Sequence, residues 1–218
     1  SDILKKRISR IVKLADVLSF GSMYPLHGLF VITAPDNTLI VARDALFYGQ
    51  KRMRDYPEAP SRSYLKVEEA FSIIKSEPQP GQTVADLGAA PGGWSYAAAK
   101  RGATVFAIDN GPLKKGASDN PGIIHIKEDA FIWKPDRQVD WLFCDMVEDP
   151  LKVLNLIVKW LKQRLFSNGI INFKFGYSDP LLVLNQINEK IVSSKLASCC
   201  ICRHLYHDRD EITMMLKV

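Results

Sequence analysis

The chain has 218 residues, of which 47% are hydrophobic and 24% charged, and it carries a net charge of +5 with an isoelectric point near 9.0. This size and apolar content suffice to bury the core of one enzyme-sized domain. No apolar run reaches membrane-spanning length and no signal-peptide pattern opens the chain, so we expect a cytoplasmic protein without a membrane span. The positive charge hints at a polyanionic partner without identifying one.

The first 58 residues differ in character from the rest of the chain. Residues 2–19 place apolar and basic side chains with the period of an amphipathic helix, whose basic face either contacts nucleic acid or is simply solvated. Residues 28–33 and 38–43 are strand-like runs joined by a segment that suits a hairpin. We therefore predict an appendage over residues 1–58, made of a helix and a β-hairpin, and a main domain over residues 59–218.

Helix and strand patterns alternate through the main domain. The predicted helices cover residues 67–74, 94–100, 150–165 and 181–192, and the predicted strands cover residues 82–87, 104–108, 122–126, 139–144, 169–175, 197–203 and 212–218. Alternation of this kind predicts an α/β fold, in which a mostly parallel sheet carries helices on both faces. The last two strands follow one another without a helix, which indicates a hairpin pair at the end of the chain.

A glycine-rich turn follows the first strand of this domain. Gly88, Gly92 and Gly93 allow a sharp turn and a close backbone approach to a ligand, and a helix begins directly afterwards. The pattern is neither a dinucleotide-binding glycine motif nor a P-loop. A turn without a ligand is the alternative, but Asp109 ends the next strand about where an acid meets a ribose in this architecture, which favours a cofactor site.

Charged residues stand at the predicted carboxyl ends of several strands, where such sheets bind ligands. They are Asp109, Asp129, Asp145 and Lys174. Apolar neighbours would lower the pKa of Lys174 by desolvation, whereas nearby carboxylates would raise it. The residues alone therefore leave two roles open for Lys174: a general base or proton relay, or one half of a buried salt bridge with Asp145.

The motifs around these residues resemble those of the FtsJ/RrmJ-like ribose 2′-O-methyltransferases over about residues 59–218. The matching segments are Ser61–Lys66, Asp86–Ser95, Cys144–Met146, Asn172–Lys174 and Asp210–Glu211. The resemblance implies a Rossmann-like class I S-adenosylmethionine-dependent methyltransferase fold, with a mostly parallel seven-stranded sheet and an antiparallel final strand. It also implies a catalytic tetrad, which consists of Lys66, Asp145, Lys174 and Glu211.

Each tetrad residue receives a role from this resemblance. Lys174 is expected to remove the proton of a ribose 2′-hydroxyl, and Asp145 to hold the lysine ammonium between the reacting oxygen and the cofactor. Lys66 is expected to steer the hydroxyl and steady the developing oxyanion, while Glu211 orients the two lysines. Since a lysine acts as a base only when neutral, either its pKa is depressed or its proton leaves late.

The resemblance also implies S-adenosylmethionine as methyl donor and S-adenosylhomocysteine as product. Asp109 is expected to accept hydrogen bonds from the ribose hydroxyls of the cofactor, and Asp129 from its adenine amino group. Ser63 and Asp145 are expected near the sulfonium and the amino acid tail. The glycine-rich turn supplies the remaining predicted contacts, which involve Gly88, Ala90, Pro91, Gly92, Gly93 and Trp94.

RNA is the substrate that the resemblance implies. Residues 59–63, 109–112, 144–148 and 205–211 are similar to those of the family members that methylate a cytidine in 23S ribosomal RNA. Those relatives usually carry an RNA-binding domain ahead of the catalytic one, and basic residues after the position of Lys174. Here only the short appendage precedes residue 59, and residues 175–178 are not basic, so another RNA target stays open. Two other classes also stay open: a non-catalytic RNA-binding protein that retains the fold, and an enzyme that methylates a small molecule or a protein.

Cysteine and histidine pairs invite a metal interpretation that we do not favour. Cys199, Cys200 and Cys202 lie in a strand-like apolar stretch without a fourth ligand at metal spacing, and are expected to be core thiols. His204 and His207, three apart on a strand, would face opposite ways. We therefore expect these histidines to be structural or to contact the substrate, and we expect no metal site.

Overall fold

The computed structural model describes residues 26–33, 39–45 and 52–218, and the chain divides into two compact units, Ser1–Gly49 and Gln50–Val218. In the first unit, β1 (Leu26–Thr33) pairs antiparallel with β2 (Leu39–Ala45), from Leu26 opposite Ala45 to Thr33 opposite Leu39. The predicted helix over residues 2–19 and the loop between the two strands lie outside the described residues. The predicted domain boundary at residue 58 stays a prediction.

The second unit is built on a seven-stranded sheet. Its strands are β3 (Thr83–Leu87), β4 (Thr104–Ile108), β5 (Ile123–Ile126), β6 (Val139–Cys144), β7 (Phe166–Lys174), β8 (Cys199–Arg203) and β9 (Glu211–Lys217). Their spatial order is β5-β4-β3-β6-β7-β9-β8. Strands β3 to β7 run parallel, and β9 lies antiparallel between β7 and β8. The predicted Rossmann-like α/β class, with its antiparallel final strand, is confirmed.

Four α-helices accompany these strands in the described part of the second unit. They are α1 (Tyr64–Ile74), α2 (Gly93–Ala99), α3 (Pro150–Lys162) and α4 (Pro180–Ile187), which continues as a π-turn over Asn188–Ser193. Asp149 starts α3 by accepting hydrogen bonds from two backbone N–H groups of the first turn, at 2.9 and 3.0 Å. The helix ends before the predicted residue 165 because Arg164 adopts a left-handed backbone, with φ of 51°.

Side chains alternate between the two faces of the sheet, and each face packs against its own pair of helices. Along β6, Trp141 and Phe143 belong to the core cluster that α1 and α2 cover, where the ring of Phe71 lies 5.9 Å from that of Trp141. Leu142 and Cys144 belong to the cluster that α3 and α4 cover. The period-two pattern of the strand therefore places helices on both faces.

The topology brings several polar side chains to one edge of the sheet. Because β3, β4, β6 and β7 are parallel, their carboxyl ends meet there, and Leu87 pairs with both Ile108 and Cys144. Strand β9 runs the opposite way and therefore begins at this edge, with Glu211 directly opposite Lys174. Among the described helices, none is long and apolar enough to cross a bilayer.

Candidate active site

Two lysines and two carboxylates form a closed ring at this edge. The Lys66 Nζ donates to Asp145 Oδ1 at 3.0 Å and to Glu211 Oε1 at 3.1 Å. The Lys174 Nζ donates to the same Asp145 oxygen and lies 3.3 Å from Glu211 Oε2. Each lysine thus contacts both acids, and the charges alternate around the ring. The structure therefore brings the four residues predicted as a tetrad together.

Each member of the ring is placed by a different element. Lys66 lies in the first turn of α1, with 5% of its surface exposed, and it reaches the edge of the sheet from the helix side. Asp145 directly follows β6, Lys174 ends β7 and Glu211 begins β9. The antiparallel register of β7 and β9 brings the last two residues side by side. These contacts join residues 79 and 145 positions apart in the sequence.

The ring keeps Lys174 protonated. Burial, the largest single influence, would lower the pKa of Lys174, but Asp145 and Glu211 together outweigh it and raise that pKa above its ordinary value. Burial would likewise raise the pKa of Glu211, but Lys66 and Lys174 lower it. The sequence left open whether burial or carboxylates decide the charge of Lys174. In the structure the carboxylates do, so Lys174 is an ammonium at neutral pH.

The glycine-rich turn lies beside the ring and requires glycine at several positions. Gly88 and Gly92 have φ angles of 74° and 103°, which side-chain-bearing residues rarely adopt. A Cβ on Gly93 would come within 2.6 Å of the hydroxyls of Ser61 and Ser63. The carboxylate of Asp109 fixes the turn by accepting hydrogen bonds from Ala90 N at 2.9 Å and from Gly111 N at 2.7 Å.

Asp86 is a feature of this edge that the sequence reasoning did not assign to the site. Its side chain is buried, and Oδ2 accepts from the Ser95 hydroxyl at 2.6 Å, while Oδ1 is buried without a partner in the part of the chain that the structure describes. Burial, together with the nearby charges of Asp145 and Asp109, raises the pKa of Asp86 to about 7. In the sequence, an acidic residue within an otherwise apolar strand was the signal that could have identified Asp86 as a site residue.

The other predicted cofactor residues lie in different surroundings. Ser63 directly precedes α1 without a capping hydrogen bond from its side chain, and its hydroxyl lies 2.8 Å from that of Ser61. The ring of Trp94 is buried against Phe143, and its Nε1 donates to Ser63 O at 2.9 Å, so it packs in the core while bracing the turn. Asp129 is exposed after β5 and accepts from Phe131 N at 2.8 Å. Ala90 and Pro91 form the middle of the turn.

The histidines occupy the loop after β8 rather than a strand, since β8 ends at Arg203. The two histidines therefore do not lie on a strand as predicted, and strand geometry does not set the directions of their side chains. His204 Nε2 lies 2.9 Å from Arg209 O. Burial and nearby cations lower the pKa of His207. Within residues 52–218, no three metal-ligating side chains are grouped so as to hold an ion.

Comparison with known sequences shows a family. The sequence profile of the FtsJ-like methyltransferases matches residues 59–186. The protein named ribosomal RNA large subunit methyltransferase M from Halorhodospira halophila is 41% identical over 169 residues, which are 76% of this chain and 49% of that protein. Its namesake from Marinomonas sp. is 39% identical over 229 residues, which are 99% of this chain and 65% of that protein. This chain thus spans about half to two thirds of their length.

Solved structures share the fold at low sequence identity. The fibrillarin pre-rRNA processing protein of Methanococcus jannaschii has a TM-score of 0.55 and 16% identity, covering 93% of this chain and 98% of its own. A proposed hemolysin of Streptococcus thermophilus has a TM-score of 0.60 and 16% identity, covering 87% of this chain and 78% of its own. Because the family profile covers more than half of its residues, the chain belongs to the FtsJ-like methyltransferase family.

Proposed function

We propose that this chain is the catalytic part of an S-adenosylmethionine-dependent RNA ribose 2′-O-methyltransferase that acts on a cytidine of 23S ribosomal RNA. The observation that carries this proposal is the ring of Lys66, Asp145, Lys174 and Glu211 beside a glycine-rich turn. Such a ring can hold a proton acceptor and an oxyanion stabiliser at one point, as transfer to a hydroxyl requires. The large-subunit ribosomal RNA target rests on the names of the relatives.

The residues at this edge fit S-adenosylmethionine. Asp86 lies one residue before the end of β3, and Asp109 and Asp145 follow the neighbouring strands β4 and β6. Burial first, and then repulsion from Asp145 and Asp109, raise the pKa of Asp86. A ligand with a sulfonium and an amino group would relieve that repulsion, and it would offer a partner to the unpaired Asp86 Oδ1. Gly92 and Gly93 let the turn pack closely against Ala117 and against the hydroxyls of Ser61 and Ser63, which fixes the shape of the proposed cofactor site. The proposed contacts are Ser63, Gly88, Ala90, Pro91, Gly92, Gly93, Trp94, Asp109, Asp129 and Asp145.

The chemistry left to the protein is alignment and proton removal. When bound, S-adenosylmethionine supplies a methyl group that its sulfonium already activates. In its neutral form, Lys174 accepts the proton of the 2′-hydroxyl, so that the O–H bond breaks as an N–H bond forms on Nζ. Lys66, which contacts both carboxylates, stabilises the charge that develops on the oxygen. Asp145 and Glu211 fix the positions of both amines.

The raised pKa of Lys174 imposes a pH dependence on this mechanism. At neutral pH Lys174 is an ammonium, and only the small neutral fraction can act as a base. While the pH lies below that pKa, each pH unit multiplies the neutral fraction by about ten. We therefore expect the single-turnover rate of methyl transfer to rise about tenfold per pH unit between pH 7 and 9. A flat profile in this range would show that proton removal by Lys174 does not limit the rate.

Substitutions at Lys174 and Asp109 test the assignment. Lys174→Ala and Lys174→Arg should both abolish methyl transfer, because arginine keeps the charge but cannot be deprotonated. Both should bind S-adenosylmethionine within about threefold of the unsubstituted protein, whereas Asp109→Ala should weaken cofactor binding first. The measurements are isothermal titration with the cofactor and transfer of radioactive methyl groups to ribosomal RNA. Near-normal turnover by Lys174→Arg would refute the role of Lys174 as base.

The RNA target requires its own experiment. Mapping of 2′-O-methyl groups in ribosomal RNA from cells with and without this protein should show one cytidine that loses its methyl group. If the methyl group is instead lost from another RNA, the proposed 2′-O-methylation stands and the proposed substrate is wrong. Cofactor binding without transfer to any RNA would instead favour the non-catalytic RNA-binding protein, and transfer to a small molecule or a protein would favour that class of acceptor.

A further inference from the structure

We propose that Asn172 is a positioning residue for the reaction, which holds the third hydrogen of the Lys174 ammonium and thereby sets the direction of its nitrogen. The inference rests on the proposed function of Lys174 as base. An ammonium has three hydrogens to donate. Asp145 and Glu211 accept two of them in the ring, and Asn172 Oδ1 lies 3.1 Å from the same Nζ. All three hydrogens therefore have an acceptor.

Asn172 is placed for this contact by the strand that carries Lys174. The two residues are two apart on β7, so their side chains leave the same face. Asn172 is fully buried and lies opposite Thr213 of β9. A buried amide whose partners are lost leaves polar atoms unpaired, at a cost of about 1–3 kcal/mol. Its hydrogen bonds therefore hold the side chain in one place.

The neighbours of Asn172 allow only one orientation of its amide. Its Nδ2 donates to Asp208 Oδ1 and to Thr213 Oγ1, both at 3.1 Å. Asp208 is itself held, because its Oδ2 accepts from Leu205 N at 2.8 Å and from the Thr213 hydroxyl at 3.0 Å. Burial raises the pKa of Asp208 to about 6, and its two oxygens accept from three neighbouring donors, the Asn172 amide, the Leu205 N–H and the Thr213 hydroxyl. An ammonium on one side and a carboxylate on the other direct the amide oxygen to Lys174.

This arrangement prepares the nitrogen for proton transfer. After Lys174 loses one proton it keeps two N–H bonds, which Asp145 and Asn172 can hold. The remaining direction points toward Glu211, whose Oε2 lies 3.3 Å from Nζ and makes the longest of the three contacts. That direction is the one released to the substrate hydroxyl. Without Asn172 the amine could turn about its last carbon–carbon bond, and fewer encounters would be productive.

Two variants probe Asn172 in opposite senses, and a third serves as control. Asn172→Leu removes the acceptor. The exchange Asn172→Asp with Asp208→Asn keeps an acid and an amide side by side but places the carboxylate against Lys174. Asn168→Leu is the matched control, since Asn168 lies on the same strand and donates to Asp140 O at 3.2 Å at the opposite end.

Divided by the neutral fraction of Lys174 found by titration, kcat of Asn172→Leu should fall by about tenfold or more, with KM for RNA and cofactor affinity within about threefold of the unsubstituted values. The other charged groups around Nζ, which are Lys66, Asp145 and Glu211, stay in place in every variant. A hydrogen bond to the ammonium favours its charged form, so its loss should move the pH profile of kcat to lower pH. The exchange should move the profile to higher pH, because a carboxylate favours the ammonium more strongly.

Direct titration of Lys174 separates this inference from the proposed function. NMR of the protein with ¹³C-labelled lysine, assigned with Lys174→Arg, follows the side chain without turnover. The midpoint should fall in Asn172→Leu and rise in the exchange, while Asn168→Leu leaves it unchanged. If the unsubstituted protein methylates no RNA, the proposed function fails and the titration still decides whether Asn172 controls Lys174. Midpoints that stay the same, or that move together, overturn the proposal. If Asn172→Leu does not fold, the exchange alone must show the upward shift.

Discussion

The protonation of Asp86, at the edge of the sheet where the proposed cofactor site lies, is coupled to the stability of the fold, and this coupling can be measured. The ordinary pKa of an aspartate is near 3.8, and burial raises the pKa of Asp86 in the folded chain to about 7. The folded state therefore holds this proton more tightly than the unfolded state. Its contribution to stability is fully present below about pH 4 and is lost as the pH rises to about 7. At pH 8 the buried carboxyl is ionised, and the unfolding free energy is about 4 kcal/mol lower than it is below pH 4, where Asp86 is protonated in both states.

Asp86→Asn removes this titration. The amide keeps an acceptor for the Ser95 hydroxyl, but it places an N–H group where Oδ1 has no partner, a constant cost of about 1–3 kcal/mol. Without cofactor, the unfolding free energy of the variant should rise relative to that of the unsubstituted protein as the pH rises. The linkage relation gives a change of roughly 2–3 kcal/mol in this difference in unfolding free energy between pH 5 and pH 8. The constant cost does not affect this change.

Urea unfolding at a series of pH values, followed by tryptophan fluorescence, measures this difference. All four tryptophans belong to the second unit, so the signal reports that unit alone. The free energy of unfolding in water and the slope with urea should be compared at each pH for both proteins. A difference that stays constant within about 0.5 kcal/mol from pH 5 to pH 8 would refute the raised pKa and, with it, the account of Asp86 as a destabilising site residue.

Two further substitutions test the turn and the ring by the same unfolding assay. Gly88→Ala should cost about 2–3 kcal/mol, more than Gly81→Ala, because both have positive φ but only the Cβ at Gly88 would collide with Met146; equal losses would contradict the packing account. Lys66→Met should cost about 3 kcal/mol or more, because it leaves two carboxylates in the ring with one cation. Lys152→Met, at an exposed pair with Glu148, should change stability little, and equal losses at both lysines would argue against a buried ring.

The order of helices and strands could be predicted from the sequence because it depends on short segments. The apolar run before Gly88 and the glycines after it specify a strand and a turn by local backbone preferences alone. Proline after an aspartate likewise marks the starts of α3 and α4. Helix ends were less certain: Arg164 leaves the helical region two residues after α3 ends at Lys162, and no residue type there signals it.

The sequence by itself determined the alternation of elements, the turn that needs glycine and, through family motifs, which four charged residues to examine. The tertiary structure decided how they meet, because the antiparallel insertion of β9 sets Glu211 against Lys174 and distant segments bring Lys66 and Asp145 to them. It also decided the proton on Lys174, the direction of the Asn172 amide and the unpaired oxygen of Asp86. Those properties depend on burial and on interactions between side chains that weaken steeply with distance. Neither burial nor these distances are encoded in any one segment of the chain.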